Sequence, residues 1–295
     1  MIITGKKFCK PKLSRVINGD DVIDSGPTRP DLFRLDHLMV EQFTDYNRST
    51  LQNFIKGGYV QVDGKVVVKP NAKFEKIVQI ELELPVQSQI SKYQPQVIYE
   101  DEHVLVLDKP VGMLSMKKGE YTPEETLEDY GTLVHRLDRG TSGVVILAKD
   151  EDTRAYLQKQ FQKRTAHKTY YAVVVGHPKE PQAKIDLPIA RNLKRPTTFK
   201  VDPAGKSAQT EYAVIAANDN YSLLGVHPTT GRTHQIRVHL SYIGTPILGD
   251  EVYGQTPADR LYLHASMLEI TIPGGERRQF IAELPTEFDQ KVGRA

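Results

Sequence analysis

Residues 132–150 read TLVHRLDRGTSGVVILAKD. Apolar, β-branched runs lie on either side of a glycine-rich turn. TLVHRL reads as one strand, Gly140-Thr141-Ser142-Gly143 as the turn, and VVILA as a short buried strand. Asp138 falls where the first strand ends, between Arg136 and Arg139. A carboxylate before glycine commonly caps its turn and pairs with a neighbouring arginine. The other reading is that the strand presents this carboxylate for chemistry.

Working outward, the same grammar repeats. VIYEDEHVLVLDKPVGMLS (97–115) gives two short strands and a turn. DEDTRAYLQKQFQKR (150–164) predicts a helix with a capping aspartate and apolar Tyr156, Leu157 and Phe161. THQIRVHLSYIG (233–244) predicts another, with Ile236, Leu240 and Ile243 on one face and Gly244 stopping it. Most other connections are tight turns rather than helical crossovers. An α+β class follows, with a mixed, mainly antiparallel sheet flanked by helices over residues 96–290.

The N-terminal part differs. Residues 1–30 lack periodicity and read as a tail or loosely docked arm. Leu35, Leu38, Met39 and Phe43 have helical spacing, and Ser49 can cap a second helix carrying Leu51, Phe54 and Ile55, stopped by Gly57-Gly58. YVQV-DG-KVVV predicts a hairpin about Asp63-Gly64, and IVQIELEL a further strand. A small α/β domain is expected over 31–86, and a polar linker over 87–95.

Composition sets limits. The chain has 295 residues, enough for two domains, with 39% hydrophobic and 26% charged residues, as in soluble globular proteins. No apolar run reaches the ~20 residues that cross a bilayer, and the start has no signal-peptide core, so a cytoplasmic protein without membrane association is expected. One cysteine, Cys9, excludes an internal disulfide and a thiolate zinc site. Net charge is only +2, but basic residues cluster in 1–19, 48–76 and 191–206. Such stretches are either solvated faces or a surface that follows phosphates.

Cofactor signatures are missing. The sequence has no GxxxxGK[ST] loop, no GxGxxG after a strand and no GxSxG elbow. His234 and His239 are five apart and cannot form a two-histidine metal pair on one helical face. What remains is an aspartate with arginines and tyrosines. Neither a metal nor a small-molecule cofactor is expected.

LDKPVG (107–112), HRLDRGTSGVVILAK (135–149), KTYYAVVVG (168–176), GKSAQTEY (205–212) and TTGRTHQIRVHLSYIGTPILGDEVYG (229–254) resemble, in order, the RluA-type pseudouridine synthases. RLDHLMVEQF and RSTLQNFIKGGYVQVDGK resemble the S-four-like RNA-binding domain. The first resemblance implies an isomerase that turns uridine into pseudouridine through Asp138, with Tyr170 stacking on the base or shuttling a proton and Arg237 as the partner of the carboxylate. Sequence leaves open whether Asp138 acts as nucleophile or base. The resemblance further implies RNA contacts by His135 and Arg136, the latter filling the space left by a flipped uridine, while Lys109 and Arg232 are either phosphate contacts or structural ion pairs. The second implies RNA contacts by Arg48, Ser49, Gln52, Asn53 and Lys56.

Large-subunit ribosomal RNA is the expected substrate, transfer RNA the alternative within the class, and a monomer the expected state. A silent RNA-binding or ribosome-assembly factor is a different class, against which the intact Asp138, Tyr170 and Arg237 argue. A carboxylate glycosidase would need a second acid in these blocks. Two departures from the family stand out: the segment between LDKPVG and HRLD is short, and position 140 is glycine where many relatives carry an acid.

Overall fold

The computed structural model describes residues 2–3, 32–75, 78–83, 93–117 and 125–294. They form two compact units, one N-terminal and one beginning in the nineties.

In the N-terminal unit, β1 (Ile2–Ile3) and β2 (Leu32–Arg34) precede α1 (Leu35–Gln42), α2 (Arg48–Lys56), β3 (Val60–Val62), β4 (Lys65–Val66), β5 (Lys73–Glu75) and β6 (Ile80–Glu83). The strand order β1-β6-β3-β4 makes a four-stranded sheet, and β2 pairs with β5. Both expected helices are present. Leu35, Leu38 and Met39 of the first and Leu51, Phe54 and Ile55 of the second are buried against Val60, Val62, Ile80 and Leu82. The hairpin turns at Asp63 (φ 49°) and Gly64 (φ 75°), the left-handed pair that a two-residue type I′ connection requires. One detail differs from expectation. Asn47, not Ser49, caps α2, its side chain accepting from Thr50 N–H at 3.0 Å, because the helix already begins at Arg48. The expected arm over 1–30 lies outside the described residues except for β1, which pairs with β6. Most of the expected linker also lies outside them.

The larger unit contains β7 (Gln96–Glu100), β8 (Val104–Lys109), β9 (Thr132–Leu133), β10 (Ser142–Ala148), α3 (Glu151–Lys163), β11 (His167–Val175), β12 (Gln182–Asp186), β13 (Ile189–Arg191), β14 (Phe199–Val201), β15 (Gln209–Ala217), β16 (Tyr221–Pro228), α4 (Gln235–Tyr242), β17 (Leu263–Thr271), β18 (Arg277–Ile281) and α5 (Thr286–Lys291). A ten-stranded sheet runs β12-β15-β16-β11-β17-β10-β8-β7, with β18 on β17 and β9 on β10. Among its described pairings only β10 with β17 is parallel. The sheet is mixed and mainly antiparallel, as expected.

Helices cover the sheet where the apolar spacing requires it. Ile236 and Leu240 of α4 and Phe288 of α5 pack on Ala172, Val174, Leu224 and Leu263. Leu157 of α3 packs on Val144, Ile146, Leu268 and Ile270. TLVHRL is less regular than expected: only Thr132–Leu133 pairs as a strand, and Val134–Asp138 continues without ladder bonds. Ser115 holds this segment instead, its hydroxyl donating to Leu137 O at 2.7 Å and accepting from Leu137 N–H at 3.1 Å.

Gly143 explains the turn that follows. Its φ is 111°, and a Cβ there would lie 2.1 Å from the Ala265 carbonyl oxygen. Only glycine lets β10 cross onto β17 so closely. That crossing brings the Asp138 loop beside the middle of the sheet.

Candidate active site

A cavity of about 440 Å³ opens in the larger unit, lined by His135, Arg136, Asp138, Lys168, Tyr170, Arg232, His234 and Arg237 among others. Its size suits a small organic group. Four separate stretches of the chain converge there, which is why no single motif could disclose it.

Asp138 enters at the end of its irregular segment, and Thr141 N–H closes the turn on its carbonyl at 3.0 Å. Its Oδ2 accepts from Arg237 Nη1 at 3.1 Å, and His234 Nε2 lies 3.8 Å away. The guanidinium at Asp138 thus comes from α4, 99 residues along the chain, while Arg139 donates to the Gly112 carbonyl at 3.0 Å.

Arg237 is oriented from behind. Its Nε and Nη2 donate to the two oxygens of Asp250, both at 2.8 Å, and the Tyr253 ring lies 5.1 Å from its carbon. Asp250 Oδ1 also accepts from Val252 and Tyr253 N–H. Burial alone would raise the Asp250 carboxyl and lower the Arg237 guanidinium. The bidentate pair overrides both, so Asp250 sits below the usual carboxylate range and Arg237 is held charged. Asp250 and Tyr253 belong to GDEVYG (249–254), a stretch whose spacing alone assigns its side chains no role.

Tyr170 lines the cavity from β11. The register of β11 against β17 shifts between Thr169 and Tyr170, a bulge that re-aims the ring. Burial, and then the charge of Asp138, raise its phenol well above its ordinary value, so it is a neutral hydroxyl. Tyr171, the next residue, packs at the edge of the core formed with α4. Lys168 lines the same wall and donates to Thr230 O at 3.2 Å; burial lowers its ammonium to about 8.

The remaining expectations divide. Arg136 is exposed on the cavity rim, its Nη1 3.6 Å from Met116 Sδ. Arg232 lines the cavity while donating to Ser207 O at 3.0 Å. His135 lines it too, but its Nε2 accepts from Ile146 N–H at 3.2 Å and its ring stacks on Phe161 at 4.7 Å. Burial lowers this imidazole to about 3, so it is neutral.

Lys109 corrects an expectation. It is fully buried, its ammonium donating to the carbonyls of Pro110, Met113 and Arg139 at 3.0, 2.9 and 3.4 Å. Burial lowers it to about 7, while the charge of Asp138 opposes that shift. An amine so enclosed braces the loop under Asp138 and does not reach RNA phosphate.

In the N-terminal unit, Ser49, Asn53 and Lys56 are exposed on α2. Arg48 and Gln52 are engaged: both donate to Asp36, at 2.9 and 2.6 Å. Their donors serve the fold first, which departs from the expectation of simple RNA contacts. Among the described residues no group of three or more His, Cys, Asp or Glu side chains could hold a metal ion, and no helix is long and apolar enough to cross a membrane.

Comparison with known proteins shows the family. Residues 103–242 match the model of the RNA pseudouridylate synthase family. The chain is 34% identical to ribosomal large subunit pseudouridine synthase D of Vibrio parahaemolyticus, over 86% of this chain and 88% of that one. It is 32% identical to the protein of the same name from Escherichia coli, over 88% and 89%. The solved structure of human RNA pseudouridylate synthase domain containing 1 superposes with a TM-score of 0.57 at 27% identity, covering 64% of this chain and 83% of that one. With sequence blocks, sheet and family model in agreement, the chain belongs to the RluA-type RNA pseudouridine synthases, isomerases that convert uridine to pseudouridine.

Proposed function

We propose that the protein isomerises uridines of large-subunit ribosomal RNA, with Asp138 as the reacting carboxylate. One observation carries this reading: Asp138 is fixed by Arg237 through one oxygen at 3.1 Å, in a cavity otherwise open to a substrate. The names of the curated relatives support the ribosomal substrate.

The reaction breaks the bond between the ribose and uracil N1, turns the freed base, and joins its carbon 5 to the same sugar carbon. The proton on carbon 5 leaves and N1 gains one, so nothing is oxidised or added. A carboxylate near the sugar serves as nucleophile or as base. The Arg237 guanidinium, 3.1 Å away, pairs with that carboxylate and fixes its orientation. The Tyr170 ring stacks on the extruded uracil, and its hydroxyl shuttles a proton. Flipping the nucleotide costs a few kcal/mol, and Arg136, exposed at the rim, fills the vacated stack. Arg232 meets the nucleic-acid backbone beside it.

The N-terminal unit is an S-four-like RNA-binding module whose α2 meets RNA through Ser49, Asn53 and Lys56. It tethers the enzyme to its target and leaves the chemistry to the larger unit. The protein works as a cytoplasmic monomer and needs no cofactor. The test is a transcriptome-wide map of pseudouridine in cells with and without the protein. Sites lost from large-subunit ribosomal RNA support the proposal. Losses confined to transfer RNA overturn the substrate, and no lost site overturns the activity.

A further inference from the structure

His234 is not used by the reaction as proposed, yet it is held where a histidine rarely sits. It precedes α4 at φ 56° and ψ 19°, the left-handed region that non-glycine residues seldom adopt. Its contacts over-determine that position. Nδ1 lies 2.8 Å from the Tyr253 hydroxyl, and the Tyr253 and Phe199 rings meet the imidazole edge-on at 5.5 and 5.7 Å. The Tyr253 oxygen also accepts from Phe199 N–H at 2.9 Å. On the opposite side, Nε2 faces Asp138 Oδ2 at 3.8 Å.

The protons in this chain are countable. The phenol has one proton, and its oxygen already accepts from Phe199 N–H. Were Nδ1 protonated, both neighbours would donate to the phenol and its own proton would have no acceptor among them. With the phenol donating to Nδ1, all three groups are satisfied and the neutral imidazole carries its proton on Nε2. Burial favours that neutral ring, although the charge of Asp138 opposes it.

We propose that Tyr253 and His234 are positioning residues for Asp138: the phenol fixes the imidazole tautomer whose Nε2–H points at the carboxylate, and the β13–β14 hairpin anchors the phenol through Phe199. The inference rests on the reading of Asp138 as the reacting group. At 3.8 Å the N–H is beyond hydrogen-bond length, so it acts as a dipole that draws Oδ2 to the Arg237 side and leaves Oδ1 for the substrate. The other tautomer would aim a lone pair at the same oxygen and push it away. The hairpin carries Arg191, Lys194 and Arg195, so RNA seated on it is three groups from the reacting carboxylate.

The test uses the full-length protein with nitrogen-15 in its nine histidine rings. His234→Asn, a residue that tolerates the left-handed region, identifies the His234 signal by its loss. Tyr253→Phe keeps the ring on Arg237 and removes only the hydroxyl. The native spectrum should show His234 protonated at Nε2 alone, and Tyr253→Phe should abolish that preference. Single-turnover isomerisation at saturating RNA should fall about tenfold while the Kd for RNA stays within about twofold. In the His234→Asn background, Tyr253→Phe should change the rate less than about twofold. An unmoved tautomer, an unchanged rate, or a full further loss in the His234→Asn background each overturns the proposal. Asp138→Asn, run in parallel, keeps the two readings apart. An active Asp138→Asn removes the assignment of Asp138 itself, whereas an inert one with an unmoved His234 tautomer removes only the positioning role.

Discussion

Asp36 and Asp138 both meet arginine, and they are built for opposite ends. Asp36 in the N-terminal unit is fully buried and saturated. Arg34 reaches both of its oxygens at 3.0 and 3.1 Å, Arg48 adds two bonds at 3.2 and 2.9 Å, and Gln52 one at 2.6 Å. Burial pushes its carboxyl up, but the bonds from Arg34, Gln52 and Arg48 pull it far below the ordinary range. Asp138 has one direct arginine bond, a histidine 3.8 Å away and a cavity before it. Saturation makes a carboxylate a structural pin. A carboxylate held at one oxygen is fixed in place and still available for chemistry.

Exchanging the charge for a neutral amide is the sharpest way to break this comparison. Asp138→Asn should lower single-turnover pseudouridine formation by more than about three orders of magnitude, with melting and RNA affinity nearly unchanged. Asp36→Asn should do the reverse. Its two guanidiniums are half-exposed, so the loss is smaller than for a fully enclosed pair, about 2–3 kcal/mol in denaturant unfolding. Its rate at saturating RNA should stay within about twofold of native. An Asp36→Asn protein that folds yet does not isomerise uridine would overturn the division.

How much of this was visible in the sequence follows the same line. Local features were legible: the Asp63-Gly64 hairpin, the apolar faces of α1 and α4 and the mixed sheet all follow from spacing within a few residues. Asp138, Tyr170 and Arg237 were legible only as members of recognised blocks. The sequence assigns Asp250 and Tyr253 no task, because their partner Arg237 lies on another element and pairing across the fold leaves no spacing signal. For Lys109 the sequence leaves a phosphate contact and a structural ion pair both open, because its burial depends on three carbonyls supplied by residues 110, 113 and 139. The cap of α2 was misplaced by two residues because Asn47 and Ser49 are both good caps and only the backbone decides between them.

Acid should separate the two units. In the larger one, burial lowers His264 to about 4 and His135 to about 3. The unfolded chain therefore takes up these protons before the folded one. Stability is complete above about pH 6.5 and falls as pH drops towards 4, by about 3 kcal/mol for His264 alone. The Asp36 cluster behaves differently. Its carboxyl is lowered by folding, so its contribution persists above the ordinary carboxylate range and is lost only below it. Denaturant titrations from pH 7 to 4 should show the larger unit weakening first. His264→Gln keeps an acceptor towards Ser142 and a donor towards Ala282 O, and should remove about one proton from the slope. An unchanged slope would exclude His264 as its source.

The smallest expected effect lies on α2, where the pin and the surface proposed to meet RNA share one helix. Arg48 and Gln52 are tied to Asp36, so replacing either reports mostly on folding. Lys56 is exposed, makes no pair among the described residues, and lies in the last turn of the helix. Lys56→Ala should leave melting and the single-turnover rate unchanged. If Lys56 meets a phosphate, binding should weaken severalfold, and the slope of log affinity against log salt should shrink by about 0.7–0.9, one released counterion. Arg48→Ala should instead lower stability before it alters the slope, because the buried Asp36 loses one of its two guanidiniums. A Lys56→Ala protein with native affinity and slope would move the RNA contact off this helix and leave the Asp36 pin as its only assigned task.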